Sequence, residues 1–571
     1  MMKRIFCITL ALIGLLTLAT PKTTSAYTTS ADSIHSYISV LASDSLEGRE
    51  TGEVGEQKAA GYIVEKFKAA GLEPKGDDGS YYQPFDFVKR IETGPNTSLT
   101  VNGTKLEPNV EFQPMLQTAD TKFDFNSIVS VGYGITTEDS TYDDYAGKDV
   151  AGKAVLIKRF SPPADTKPGV DFDKYAAITD KVINAMDHDV SGIFLITPED
   201  QDDTLMSVGF THVTPKDIPI IWIRRKGLEK LGLSLTDPQA VSAVGQTEMV
   251  RVRDTGYNIV GYLPGTDDST IIIGAHYDHL GYGGPASRYT GTDRKIHPGA
   301  DDNGSGTAAL LELARNFGAK ENQLHHSLLF IAFSGEEKGI LGSSYYAKHM
   351  TVDTNTVRMM INMDMIGRLR EQDKGLMIMG TGTCPEFKHY FDSVLTTDMK
   401  LTLRESGTGP SDHTAFYNRD IPVLFFFTGA HEDYHTPRDV VDKIDFNGVA
   451  KVADLVADIT TYFDNYGGPL TFQKTKGDSG RMSHAAFSVT LGIMPDYMAE
   501  IKGLKVDGVT PDRPAERAGI LKDDIIVKIG EYDVDDIYTY MNCLSKFRKG
   551  DSTVVVVQRG DKTLNLDVVF R

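Results

Sequence analysis

Ile271-Ile272-Ile273-Gly274-Ala275-His276-Tyr277-Asp278 decides how this 571-residue chain is read. An unbroken apolar run stops abruptly at an imidazole and a carboxylate. A strand that is apolar at every position is buried on both faces, which is the habit of parallel sheets covered by helices on each side. The pattern recurs downstream. Leu328–Phe333 runs into Ser334-Gly335-Glu336-Glu337, Met359–Met363 runs into Asp364, and Val423–Phe427 leads through a short loop to Tyr434-His435. Pro298-Gly299-Ala300-Asp301-Asp302-Asn303-Gly304 precedes a helical run over Thr307–Phe317. In open α/β sheets, ligands gather beyond the carboxyl ends of the strands. Five segments are therefore expected to deliver acids and imidazoles to one crevice.

Taken singly, each motif has an ordinary reading. His-x-Asp is commonly a surface histidine, Glu-Glu a solvated edge, and Asp-Asp-Asn a turn or helix cap. Taken together, charged groups abutting four buried strands would be costly without compensation. His276, Asp302, Glu337, Asp364 and His435 offer two imidazoles and three carboxylates with no thiolate, a donor set suited to Zn²⁺ or to Co²⁺ or Mn²⁺. One open catalytic zinc needs three protein ligands; sharing one carboxylate between two ions uses all five. Asn303-Gly304-Ser305 is a glycosylation sequon by pattern and is read as a chance occurrence.

Outward from this core, residues 27–84 read as two helices around a glycine-rich loop; Ala60, Ile63, Val64 and Phe67 keep helical spacing and Gly71 follows as a stop. From about residue 97 to 250 the texture changes to short β-rich runs (Ser127–Val131, Ala154–Ile157, Ile193–Ile196) punctuated by prolines, as expected of an inserted mixed α/β module. Residues 256–466 alternate apolar strands with helices, the signature of a mostly parallel sheet flanked by helices. Gly467-Gly468-Pro469 is a breaker, and residues 484–571 form a compact β-rich unit.

Length alone suggests several folding units. Hydrophobic residues at 40% and charged residues at 24% exclude disorder, a collagen-like fibre and a multi-span membrane protein. Lys and Arg number 59 against 79 Asp and Glu, a net charge of −20, and no basic run offsets it; neither nucleic acid nor an anionic membrane is expected as partner. Lys3 and Arg4 precede the apolar run Ile5–Ala19, and Thr24-Ser25-Ala26 supplies small side chains for cleavage. Residues 1–26 therefore read as a secretory signal peptide, too short for a membrane span, so the mature chain is expected to be exported, periplasmic or secreted, with no membrane span. Of the three cysteines only Cys384 and Cys543 remain after cleavage, and no disulfide framework is expected.

These residues resemble the co-catalytic di-zinc aminopeptidase family, to which leucyl aminopeptidases and glutamate carboxypeptidase II belong. The resemblance is carried by Leu41-Ala42-Ser43-Asp44-Ser45-Leu46-Glu47-Gly48-Arg49 through Pro84-Phe85, and by the stretch from Gly256 to Tyr466. It implies that His276 and Asp364 hold one zinc, Glu337 and His435 the other, and that Asp302 bridges both. It also implies that Asp278 orients His276 from behind, and that the Asp302–Asn303 bond is cis. A bridging hydroxide on the two ions would attack the scissile carbonyl, with Glu336 as general base and Tyr434 donating to the developing oxyanion. Packing over the metal loop is the alternative reading of Tyr434. Ser411-Asp412-His413 reads as scaffold near the pocket; with His279 it makes an alternative ligand set, set aside because the strand-end sets are complete without it.

Two accessory modules carry further resemblances. Val131-Gly132-Tyr133-Gly134-Ile135 and the run from Tyr145 to Val155 resemble a protease-associated domain, assigned to 119–250 between peptidase segments 27–118 and 251–468. Within 469–571, Leu491-Gly492-Ile493-Met494 and Pro514-Ala515-Glu516-Arg517-Ala518-Gly519-Ile520 resemble the carboxylate-binding loop and helix of a PDZ domain, which implies a C-terminal peptide ligand. Pro495 follows that loop and removes a donor from the strand edge. The expected function is an exported zinc aminopeptidase acting on peptide substrates. A carboxypeptidase or dipeptidase, a glutaminyl cyclase, and a catalytically silent peptide-binding protein remain alternatives on the same core.

Overall fold

The structure is a computed structural model. It describes residues 29–570 apart from 138–140, 164, 177, 204–215, 233–240, 285, 292, 320–323, 370–374, 476–488, 496–500, 510–512, 535–536, 545 and 549. The expected signal peptide lies outside the described residues. Among the described residues, no helix is long and apolar enough to cross a membrane.

The fully apolar runs form the centre of a nine-stranded sheet. Ser327–Phe333, Thr270–His276, Val357–Met363 and Val423–Phe427 lie side by side in that order, and all three pairings are parallel. Every residue of Thr270–His276, Ser327–Phe333 and Val423–Phe427 is buried. Alternation assigns the two faces: Ile271, Ile273 and Ala275 pack into a core shared with the helices Ala31–Leu41, Val54–Ala69, Gly304–Gly318 and Phe446–Asn465, while Ile272 joins a second core with Tyr346, Phe416 and Val423. Antiparallel neighbours extend the parallel centre, Met249–Leu263 at one side and Leu376–Met379 at the other. The doubly covered α/β core expected from the sequence is present, with its strands' carboxyl ends on one edge.

Tyr82–Thr93 pairs along its length with Met249–Leu263, making a long antiparallel ribbon. At its far end the Gly94 amide donates to the Glu248 carbonyl at 2.7 Å, so the chain departs and returns at one point. Between those residues lies an eight-stranded sheet whose centre (Thr121–Ser130, Ala154–Lys158, Gly192–Ile196, Ile220–Ile223) is parallel. This sheet also takes up Ser98–Val101, Thr104–Leu106 and Phe112–Pro114, so the inserted unit begins well before residue 119. Strands of three or four residues carry too little alternation to be assigned from sequence.

The C-terminal sheet has six strands around a core of Leu491, Val506, Ile526, Val555, Val557 and Phe570. Ile493–Pro495 is an edge strand paired with Leu504–Val509, Pro495 lying opposite Val506. Cys384 and Cys543 are free and buried.

Candidate metal centre

His276 is the last residue of its strand and is 1% exposed. Its Nε2 lies 3.2 Å from Asp364 Oδ1 and 3.5 Å from Asp302 Oδ1. Asp364 follows Met363, the end of the neighbouring strand. Asp302 comes from the loop ahead of the helix Gly304–Gly318, and the Asp302–Asn303 peptide bond is cis. Asn303 caps that helix through Oδ1, which accepts from the Gly306 amide at 2.9 Å. Its Nδ2 donates to the Met363 carbonyl at 2.9 Å, and the residue is fully buried, so the sequon there is inaccessible to a glycan.

A second cluster shares Asp302. His435, in a left-handed backbone conformation (φ 57°), places Nε2 3.2 Å from Asp302 Oδ2 and 3.1 Å from Glu337 Oε2. Its Nδ1 lies 3.0 Å from the Ala286 carbonyl, the natural acceptor for the proton that leaves Nε2 free. His276, Asp302 and Asp364 bring one donor atom each within 4.8 Å of one another, and so do His279, Asp302 and Glu337. The structure thus gathers all five strand-end and loop residues expected from sequence and adds His279. Its Nδ1 is 2.6 Å from Glu337 Oε1 and 3.7 Å from Asp302 Oδ2.

The neighbours of these groups hold them in place. Asp278 Oδ2 accepts from Thr51 Oγ1 at 2.8 Å, and Oδ1 accepts from the Glu336 amide at 3.2 Å. His276 Nδ1 sits nearer the Asp278 carbonyl oxygen (3.2 Å) than its carboxylate (3.6 Å), so main chain and side chain of Asp278 both face that imidazole. Ser411 Oγ donates to Asp364 Oδ2 at 2.8 Å, the scaffold role expected for that stretch. His413 is buried and stacks on Phe425 with centroids 4.3 Å apart; burial lowers its pKa to about 3, so it stays neutral. Asp439 Oδ2 accepts from the amides of Asp301 (2.9 Å) and Asp302 (3.0 Å). The Tyr434 ring stacks on His435 with centroids 3.7 Å apart and leans on the cluster of Met365, Met379, Phe425 and Phe427.

The electrostatics are those of a site short of positive charge. Burial disfavours the His435 cation, yet Glu337 and Asp302 outweigh it and hold the imidazole pKa up to about 11. Burial likewise opposes charge on His276, and the Asp364 and Asp278 carboxylates raise its pKa well above the ordinary value. Burial pushes the Glu336 carboxyl far up; His276 pulls it down, while Asp364 and Glu337 add to the rise. Meanwhile His276 Nε2, His279 Nε2, His435 Nε2, Asp302 Oδ2 and Asp364 Oδ1 are buried without a hydrogen-bond partner among the described residues. Buried polar atoms are almost always satisfied. Orphaned pairs such as His276 Nε2 with Asp364 Oδ1 and His435 Nε2 with Asp302 Oδ2, each 3.2 Å apart, are what divalent cations satisfy, and the all-N/O donor set fits zinc.

Parallel strands ending in a buried, cation-seeking cluster of acids and imidazoles define an α/β metal-site domain. Residues 258–460 match Peptidase family M28 and residues 471–569 match the PDZ domain, so the chain carries an M28 peptidase domain followed by a PDZ domain. It is similar to a "Probable leucine aminopeptidase" of Trichophyton verrucosum (strain HKI 0517), 29% identical over 213 residues, covering 35% of this chain and 54% of the relative. It is also similar to "Aminopeptidase YwaD" of Bacillus subtilis (strain 168), 28% identical over 247 residues, covering 40% of this chain and 50% of the relative. The chain spans about half the length of the curated relatives it matches. Among solved structures, "BSAP, a zinc aminopeptidase from Bacillus subtilis" superposes with TM-score 0.43 at 22% identity, covering 78% of this chain and 95% of that one.

Proposed function

We propose that this chain is an exported, zinc-dependent aminopeptidase that removes N-terminal residues from peptides, with Glu336 as general base. The observation that carries the reading is the buried pair of donor clusters sharing Asp302, with orphaned atoms turned toward each other and Glu336 beside them. His276 and Asp364 would hold one ion, Glu337 and His435 the other, and Asp302 would be common to both. When bound, the ions supply Lewis acidity, acidifying water and polarising the scissile carbonyl.

The chain's own residues account for the rest. Asp278 fixes the Glu336 amide and confronts His276, so one carboxylate positions both the base and a ligand. Glu336 takes a proton from the attacking water as oxygen bonds to the carbonyl carbon. As the C–N bond breaks it passes that proton to the leaving nitrogen, releasing an amino acid and a peptide shorter by one residue. Tyr434, stacked on His435, would donate a hydrogen bond from its hydroxyl to the carbonyl oxygen as negative charge develops there, a contribution typically worth about 2.7–4 kcal/mol. The leader-like residues 1–26 support export to a periplasm or the exterior. The inserted eight-stranded unit is read as a protease-associated domain and the PDZ domain as a site for a peptide C-terminus.

The test pairs metal counting with turnover. The protein is expected to contain two zinc ions and to hydrolyse aminoacyl-nitroanilides with a free amine, but not their N-acetylated forms, in a chelator-sensitive way. Glu336→Ala should keep both ions and lose turnover by several orders of magnitude. Turnover of N-blocked peptides in preference to free ones would replace the reading with a carboxypeptidase; loss of metal from Glu336→Ala removes Glu336 from the role of base.

A further inference from the structure

Arg49 closes the stretch Leu41–Arg49 and lies outside the segment matched to the peptidase family. It is fully buried, and its guanidinium spends its donors on main-chain carbonyls of three separate segments. Nε donates to Tyr277 O at 2.7 Å, Nη1 to Pro298 O at 2.7 Å and to Leu41 O, and Nη2 to Gly299 O at 2.9 Å. Tyr277 lies between His276 and Asp278, and Pro298-Gly299 leads into Asp301-Asp302. The backbone reinforces the junction: the amide of His279 donates to Arg49 O at 3.2 Å, and that of Gly281 to Gly48 O at 2.9 Å. A Cβ on Gly48 would fall 2.5 Å from the carbonyl oxygens of Gly281 and His297, so this turn lies flush on the metal-site loop.

We propose that Arg49 is a positioning residue of the metal centre: it sets the spacing of His276 against Asp302 and places a fixed positive charge beneath the carboxylate cluster. No carboxylate hydrogen-bonds its guanidinium among the described residues, so the charge remains to be felt by Asp278, Asp302, Glu337 and Asp439, each of which interacts with it electrostatically. Burial lowers its pKa to about 10, which leaves it charged at neutral pH. A lysine keeps the charge but is a point donor that cannot span three segments. The proposal rests on the metal-site reading above.

The experiment compares wild type, Arg49→Lys and Arg49→Met for zinc retention against a competing chelator, for the visible spectrum of the Co²⁺-substituted protein, for kcat and KM separately, and for the melting temperature of the metal-free form. Both variants should hold metal about 10–100-fold more weakly, as loss of groups that orient ligands typically does. The Co²⁺ bands should shift, and kcat should fall while KM stays within about twofold, as for an interaction made in the transition state. Wild-type metal affinity, spectrum and kcat in both variants, with only the metal-free melting temperature lowered, would overturn the proposal. So would failure of Arg49→Lys to fold, because exchange for another buried cation would then have exposed a role in the fold. Absence of dications from wild type breaks the metal-site reading instead.

Discussion

Glu337 shows how much one side chain is asked to do. Its Oε2 faces His435 at 3.1 Å and its Oε1 faces His279 at 2.6 Å. Burial alone would raise its pKa; the two imidazoles hold it well below the ordinary carboxylate value. Removing that carboxylate leaves two buried imidazoles facing Asp302 alone on the second cluster. Glu337→Ala is expected to retain one zinc of two after dialysis, with the remaining ion held by His276, Asp302 and Asp364. Elemental analysis that finds two tightly held ions would remove Glu337 from the ligand set. Four of the five ligand candidates were legible in the sequence because apolar runs that lead into acids and imidazoles state both where a strand stops and what stands there; Asp302 stood out as an acidic turn ahead of a helical run. His279 was weighed as a ligand and set aside, and Arg49 and Asp439 were not legible in these roles. Arg49 meets its acceptor Tyr277 across 228 residues and Asp439 meets Asp302 across 137, so only tertiary structure discloses what they touch.

At the scale of the element, the helix Gly304–Gly318 must begin against the strand that carries Asp364. Gly306 makes this possible. A Cβ there would fall 2.4 Å from both Asn303 Oδ1, the cap of the helix, and Met363 O, the carbonyl ahead of Asp364. Two effects compete in Gly306→Ala. Alanine is the better helix former by about 1 kcal/mol. Against this, the clash with one carbonyl and one capping amide forces backbone apart in a packed interior, typically costing about 1–3 kcal/mol. The second term is expected to win, lowering the melting temperature of the metal-free protein and loosening the ion at His276 and Asp364. A melting temperature at or above wild type would show that the cap can yield. The run of apolar residues through Thr307–Phe317 announced this helix; its start could not be read closely, because Asp301-Asp302-Asn303 serves at once as hydrogen-bonded turn, metal-facing carboxylate and cap.

Across the whole molecule, the nine-stranded and eight-stranded sheets own separate cores joined by the ribbon of Tyr82–Thr93 and Met249–Leu263. The ligands that govern their stability also differ. Zinc at a thousandfold excess over its dissociation constant would stabilise the unit that binds it by about 4 kcal/mol. The inserted unit instead carries Lys181, 1% exposed, whose ammonium donates to the Tyr133 carbonyl. Burial lowers its pKa from 10.5 to about 7, with Asp144 and Asp180 only partly offsetting it. Between those values the unfolded chain binds one more proton than the folded unit, so stability rises with pH there. The cost of burying the charge is fully present below pH about 7 and is relieved as pH climbs toward 10.5, at up to about 1.4 kcal/mol per pH unit. In the nine-stranded unit Glu56 is shifted the other way: burial raises its pKa to about 7, so its effect is complete by pH 8. Calorimetry between pH 8 and 9.5 is therefore expected to show two transitions: one moved upward by zinc and, in the metal-free protein, downward by pH as the raised His276 and His435 imidazoles lose their protons, the other moved upward by pH and indifferent to zinc. Lys181→Met should flatten the second response and leave the first alone. A single transition obeying both variables would mean that the ribbon welds the two cores into one cooperative unit.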